Sequence, residues 1–365
     1  MLLNDVTLRE GNQMPGREYS VDQKVTAGTA LSQLGVQFIQ AGFPATGQPD
    51  QEAITALSNQ VETPISALAR AREADIDAAI NADADIIDIF LPISDNHLKH
   101  VLNMDREKAL DMLAESVGHA RDRGGTIHIT LADAFRTDVE DVRTVFEAFP
   151  SVDYITLADT VGARTPSTVR SYLQELRDTI NLNRTGVHFH DDLGVATANV
   201  LAAYDFGVGK ADVSVASLGE RAGNAALEEV VVSGVTDYDD PLGVNESQLV
   251  PVCRDVLETL GEDVEVRKAI LGEEVTKHES GIHTAAMLDE PTIFEAYDPE
   301  RFGGERRLFF GAGTGYTGAR KLLERADVDP TEAQVKEFAE LLSDRGSLDT
   351  DAAVSLAKSK FKGDN

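Results

Sequence analysis

The sequence predicts an α/β protein, a TIM (β/α)8 barrel followed by a helical C-terminal appendage. Two observations point there. Short apolar runs alternate with helix-length segments eight times within roughly the first 235 residues, and eight parallel β/α units in about 250 residues is the size of such a barrel. Polar and ionisable residues also recur just after the apolar runs, where a barrel of this kind gathers its active-site groups. An open doubly wound sheet usually carries a Gly-rich dinucleotide fingerprint after its first strand, and Gly11-Asn12-Gln13-Met14-Pro15-Gly16 is not one.

The first strand starts on Met1-Leu2-Leu3 and ends in Arg9-Glu10-Gly11, which sets a cation and an anion side by side at its tip. A helix then starts at Ser20, with Gln23 three residues on as a capping box, presents Val25, Leu31 and Leu34 on one face, and stops at Gly35. Further strands are predicted at Val36–Gln40, Ile65–Ala69, Ile86–Leu91, Thr126–Leu131, Val152–Leu157, Thr185–His190 and Asp212–Ala216. Between them lie helical stretches at Asp50–Gln60, Arg72–Ala82, Arg106–Arg123, Val139–Ala148, Pro166–Ile180 and Ala196–Phe206. The barrel is assigned to residues 1–265 and a helical region to 266–365. In that region a Gly- and Arg-rich connection, Arg301 to Gly318, precedes a helix announced by Asp329 as N-cap, Pro330 at N1 and Glu332 at N3. Val335, Phe338, Leu341 and Leu342 fall on one face of that helix.

Within the seventh strand Val187 and Phe189 alternate with His188 and His190, so both imidazoles project from one side, roughly 6–7 Å apart along the backbone. Imidazole suits first-row divalent metals, and the following Asp191-Asp192 can orient ring N–H groups. Alone, His-x-His is more often a pair of surface histidines. On closure of the barrel, strands seven, eight and one become neighbours, so that Glu10, both histidines and Asn224 could converge on one ion. Asp133 and Arg136 follow the fifth strand, Asp159 and Thr160 the sixth. Taken singly, these residues read as ion pairs or turn residues, and His97, His100, His119 and His128 as structural or surface groups.

Composition narrows the class. The formal net charge is −30, from 63 acidic against 33 basic residues, only eleven of them lysine. Acidity this large and this dispersed disfavours nucleic acid or an anionic membrane as partner and fits a chain adapted to concentrated salt, with an acidic chain from a low-salt organism as the competing reading. One cysteine, Cys253, excludes an internal disulfide and a Cys-based zinc site. No apolar run is long enough to span a bilayer and no signal peptide is visible, so the expected compartment is the cytoplasm.

Several stretches together resemble the DRE-TIM metallolyases, in particular the isopropylmalate, homocitrate and citramalate synthases. They are Asp5 to Gln13, Ala41-Gly42-Phe43-Pro44, Leu157 to Gly162, His188 to Gly194, Gly219 to Asn224, and His278-Glu279-Ser280-Gly281-Ile282-His283. The resemblance runs in order from about residue 2 to residue 345 and is that of a short form without the family's regulatory domain. It implies an acyltransferase that condenses acetyl-CoA with a 2-oxo acid by Claisen-type addition and thioester hydrolysis. It also implies a divalent metal (Mg2+, Mn2+ or Zn2+) held by Glu10, His188 and His190, with Asn224 in or beside its coordination sphere, and a homodimer. Arg9 would face the carbonyl oxygen, His283 would move a proton, and Thr160, Arg136 and Gln13 would bind substrate.

The resemblance breaks at three polar positions. The family's Glu before the Asp-Ala element is Ala132 here, so that Asp133 or another group substitutes for it, the substrate differs, or activity is weak. Gln40 stands where Glu is commoner, and Gly311-Ala312-Gly313-Thr314-Gly315 replaces a Gly-Lys-His-Ser-Gly element. A carbon–carbon lyase or aldolase of the same superfamily, or a non-catalytic paralogue, therefore stays open at the level of sequence.

Overall fold

A computed structural model describes residues 1–362. Eight parallel strands close into a barrel in sequence order: β1 Leu2–Asp5, β2 Phe38–Gly42, β3 Ile65–Arg70, β4 Ile86–Pro92, β5 Thr126–Ala132, β6 Tyr154–Asp159, β7 Thr185–Phe189 and β8 Lys210–Val213. Pairing of β1 with β8, Leu2 opposite Lys210 and Asp5 opposite Val213, completes the ring. Alternate residues of each strand point to opposite faces. Ile39, Ile87, Ile129, Ile155, Val187 and Ala211 are fully or almost fully buried under the surrounding helices. The other faces carry Asn4, Gln40, Asp88, Thr130, Thr156, His188, Lys210 and Asp212, a polar interior where branched aliphatics are the rule.

The first strand is shorter than its sequence suggests. Asp5 accepts hydrogen bonds from the Thr7 backbone N–H at 2.9 Å and the Thr7 hydroxyl at 3.0 Å, and this local ring turns the chain into a short helix, Thr7–Glu10. Arg9 and Glu10 therefore lie on a helical turn after β1, not at its tip. The next helix, Val21–Leu34, has the predicted capping box between Ser20 and Gln23 and ends on Gly35 at φ 101°. Its Lys24, fully buried, pairs with Asp50 at 2.5 Å, and Asp50 also accepts from the Phe43 backbone N–H at 2.7 Å. Gly42 is required there, since a Cβ would lie 2.7 Å from the Asp50 carboxyl carbon.

Two compact units divide the chain, Met1–Val264 and the residues from Glu265 on. In the second, the helices Gly281–Met287, Tyr316–Arg325, Glu332–Arg345 and Thr350–Phe361 enclose a core of Phe310, Leu322, Phe338 and Leu342. This unit is not wholly helical. It also holds a three-stranded sheet, β9 Lys277–His278, β10 Arg307–Phe310 and β11 Leu348–Asp349, whose β10 falls in the Arg301–Gly318 stretch expected to be only a connection. Leu308 and Phe310 alternate into the core, a period hidden in the sequence by flanking glycines and arginines. The helix Glu332–Arg345 starts two residues later than predicted: Thr331, not Asp329, is the N-cap, in a capping box with Gln334. No helix among the described residues is long and apolar enough to cross a membrane.

Candidate metal centre at the mouth of the barrel

Glu10, His188 and His190 come together at the carboxyl end of the barrel. One ligand atom from each lies within 4.8 Å of the others, and all three residues are buried. His188 Nε2 is 3.5 Å from Glu10 Oε1 and 3.4 Å from His190 Nε2. The fold explains the meeting. His188 sits on β7 and His190 just past its end, and β8 separates them from β1, whose exit turn carries Glu10. His190 is held by an isolated bridge to Asn224 and by the Asp191 N–H donating to Gly223 O at 2.8 Å. The Asn224 side chain donates to Leu218 O at 3.1 Å.

Among the described residues, Glu10 Oε2, His190 Nδ1 and Asn224 Oδ1 are buried and have no hydrogen-bond partner. Such atoms are costly unless something else satisfies them. Burial by itself would raise the Glu10 pKa, but Arg9, His188 and His190 together hold the carboxyl below its ordinary range. His190 is pushed down to about 3, first by burial and then by His188 beside it, so its ring is neutral with a lone pair to give. An anionic oxygen, two imidazoles and an amide oxygen form a set that fits Mg2+, Mn2+ or Zn2+.

Arg9 is fixed on three sides. It pairs with Glu10, its Nε donates to Gln40 Oε1 at 2.7 Å, and Nη1 donates to Gln13 Oε1 at 3.2 Å. Gln40 donates in turn to Asp88 Oδ2 at 2.8 Å, and Thr130 donates to Asp88 Oδ1 at 2.8 Å. This chain was not foreseen beyond Gln40 as a departure from the family. The mouth is tied together by Arg221, which donates to both oxygens of Asp192 at 2.8 and 2.9 Å and to Thr160 O at 2.9 Å.

Both carboxylate oxygens of Asp133 are engaged by neighbouring side chains. Arg136 donates to its two oxygens at 2.6 Å each, and Ser94 donates to Oδ2 at 2.5 Å. Arg136 is committed to that pair instead of facing a ligand with its whole fork. The Asp133 backbone, at φ 61°, donates its N–H to Thr160 Oγ1 at 2.8 Å, so the Thr160 hydroxyl keeps its own proton to donate. His283 lies in the second unit, on the helix Gly281–Met287, stacked on Phe294 with ring centroids 3.9 Å apart.

Deeper in the barrel the sequence reading missed Asp212, Lys210 and Asn4. His188 Nδ1 is 3.1 Å from Asp212 Oδ2, and Asn4 Nδ2 donates to Asp212 Oδ1 at 2.8 Å. Burial would raise the Asp212 pKa, but the Lys210 charge and His188 hold it far below the ordinary carboxylate range. The signal was present: Lys210-Ala-Asp212-Val has the same alternation as the histidine strand, but the strand was started two residues late.

Comparison with known proteins shows the family. Residues 1–253 match the HMGL-like family model, and residues 270–347 match that of the homocitrate synthase post-HMGL domain. The chain is 36% identical to the homocitrate synthase AksA of Methanopyrus kandleri, over 99% of this chain and 91% of that protein. It is 38% identical to the 2-isopropylmalate synthase of Sulfolobus acidocaldarius, over 91% of this chain and 87% of the relative. Among solved structures, the HMG-CoA lyase of Bacillus subtilis superposes with a TM-score of 0.64 at 23% identity, covering 73% of this chain and 95% of that one. With its closed eight-stranded barrel and the following unit each matched, this chain belongs to the HMGL-like family, DRE-TIM enzymes that include the homocitrate, isopropylmalate and citramalate synthases.

Proposed function

We propose that this chain condenses acetyl-CoA with a 2-oxo acid and releases CoA by hydrolysis of the resulting thioester. The observation that carries the reading is the convergence of Glu10, His188 and His190 at the catalytic end of a synthase-family barrel, with Asn224 bridged to His190 and its side-chain oxygen unpartnered. These residues would hold one divalent ion. When bound, the ion supplies Lewis acidity toward the ketone of a chelating 2-oxo acid.

The chain's own residues supply the rest. Arg9, immobilised by Gln40 and Gln13, offers its guanidinium to the oxygen that gains charge as the ketone is attacked. Thr160 donates a hydrogen bond from its hydroxyl to the 2-oxo acid carboxylate. To His283, on the second unit, we assign a part in proton transfer, as the family resemblance implies. Asp133 and Arg136 we assign to each other, as a pair that fixes the loop after β5. The dispersed acidity supports a protein working in concentrated salt in the cytoplasm, and the family resemblance supports a homodimer.

The test is a thiol-release assay in molar KCl with Mg2+, Mn2+ or Zn2+, acetyl-CoA and a panel of 2-oxo acids. Release of CoA with one acceptor supports the reading and identifies that acceptor. No release with any acceptor, together with cleavage of a hydroxyacyl-CoA or hydroxy acid, overturns it in favour of a lyase.

A further inference from the structure

Lys210 has a completely buried side chain, and its amine makes no hydrogen bond among the described residues. Its nearest anion is Asp212 on the same strand, with Nζ 3.4 Å from Oδ1. That oxygen also accepts from Asn4, which leaves Oδ2 facing His188 Nδ1 at 3.1 Å. All four residues are buried: Asn4 and Asp212 at 2%, His188 at 6% and Lys210 at 0% exposure. We propose that Asp212 and Lys210 are a positioning pair for His188. Asp212 holds the ring by its Nδ1 side so that Nε2 faces Glu10 and His190, and Lys210 holds Asp212.

The barrel makes room for this lysine. Gly186 lies on β7 two residues before His188, on the same face, and opposite Lys210 in the β7–β8 register. A Cβ on Gly186 would lie 2.8 Å from Lys210 Cε and 2.5 Å from Thr156 Oγ1. The strand that presents the histidine thus gives up a side chain to admit the lysine. Buried ion pairs are poor sources of stability compared with apolar residues of similar size. Carboxylate–imidazole contacts of this kind fix the tautomer and orientation of a metal-ligating histidine. The arrangement therefore makes more sense as support for His188 than as packing.

The proposal rests on the reading of His188 as a metal ligand, and its test separates the two. Divalent-metal titrations would compare the whole protein with Asp212→Asn, Lys210→Met and the double variant, alongside their melting temperatures. Asp212→Asn should weaken metal binding about 10–100-fold. Either single change leaves one buried charge unpaired and should lower the melting temperature. The double variant should regain the melting temperature while keeping the 10–100-fold loss in affinity. A double variant that regains both overturns the proposal and makes the pair a structural ion pair. Independently of any metal, 15N NMR of the metal-free protein at pH 8 should find the His188 proton on Nδ1. Wild-type protein that takes up no ion contradicts the metal reading. A proton on Nε2 contradicts the positioning pair.

Discussion

At the scale of single residues, each polar group's surroundings decide what it can do. His128 lies edge-on to Phe38 and Tyr154, at centroid distances of 5.5 and 5.2 Å. Burial first, and then the Lys210 charge, push its pKa down to about 3, against the opposing pull of Asp212. Its folded value lies below the ordinary 6.5, so its contribution to stability is complete above that pH and is lost as pH falls toward 3. His128→Phe should flatten the acid limb of the stability–pH curve by up to about 1.4 kcal/mol per pH unit, as read by urea unfolding between pH 4 and 7. Asp133 belongs to the same scale. Replacing it with Asn removes charge-assisted bonds to Arg136 and weakens the one from Ser94, and should cost about 1–3 kcal/mol in denaturant titrations. The metal-ligand candidates could be picked out from sequence because Glu10, His188, His190 and Asn224 occur in motifs. The Ser94 bond to Asp133 could not, because Ser94 is 39 residues away, whereas Arg136 lies three residues on and its pairing could be read locally.

At the scale of elements, boundaries were set by side chains that the periodicity does not register. Asp5 ended β1 early by bonding to Thr7, and Thr331 took the cap expected of Asp329. Thr331→Ala should destabilise the helix Glu332–Arg345 by about 1 kcal/mol, measurable as a lower unfolding midpoint. The Lys24–Asp50 pair pins the helix Val21–Leu34 to the first turn of the helix Gln48–Gln60. Lys24→Met leaves a buried carboxylate without its cation and should cost about 3–5 kcal/mol in the same measurement. The eight strands and most helices were legible because their apolar runs are bounded by clear turn and cap residues. β9 to β11 were not, since two of them have only two residues and the third lies among glycines and arginines.

At the scale of the whole molecule, two properties stand out: a polar barrel interior and a large negative charge. The interior chain from Arg9 through Gln40 to Asp88, and the one from His188 through Asp212 to Lys210, give the site rigid support from below. Single inward residues look unremarkable along the sequence, and only closure of the barrel joins them. The formal charge of −30 was plain from the first, and its consequence is testable. Self-repulsion is screened by salt, so the melting temperature should rise as KCl is raised from 0.1 M toward molar concentration.

The account stands most directly on the ion at Glu10, His188 and His190. Titrating the metal-free protein with Mg2+, Mn2+ and Zn2+, and repeating this with His190→Ala, is the decisive measurement. The expected result is one ion per chain in the wild type and none in the variant, with the circular dichroism of the barrel unchanged. Equal metal uptake by both proteins would contradict the assignment of this site.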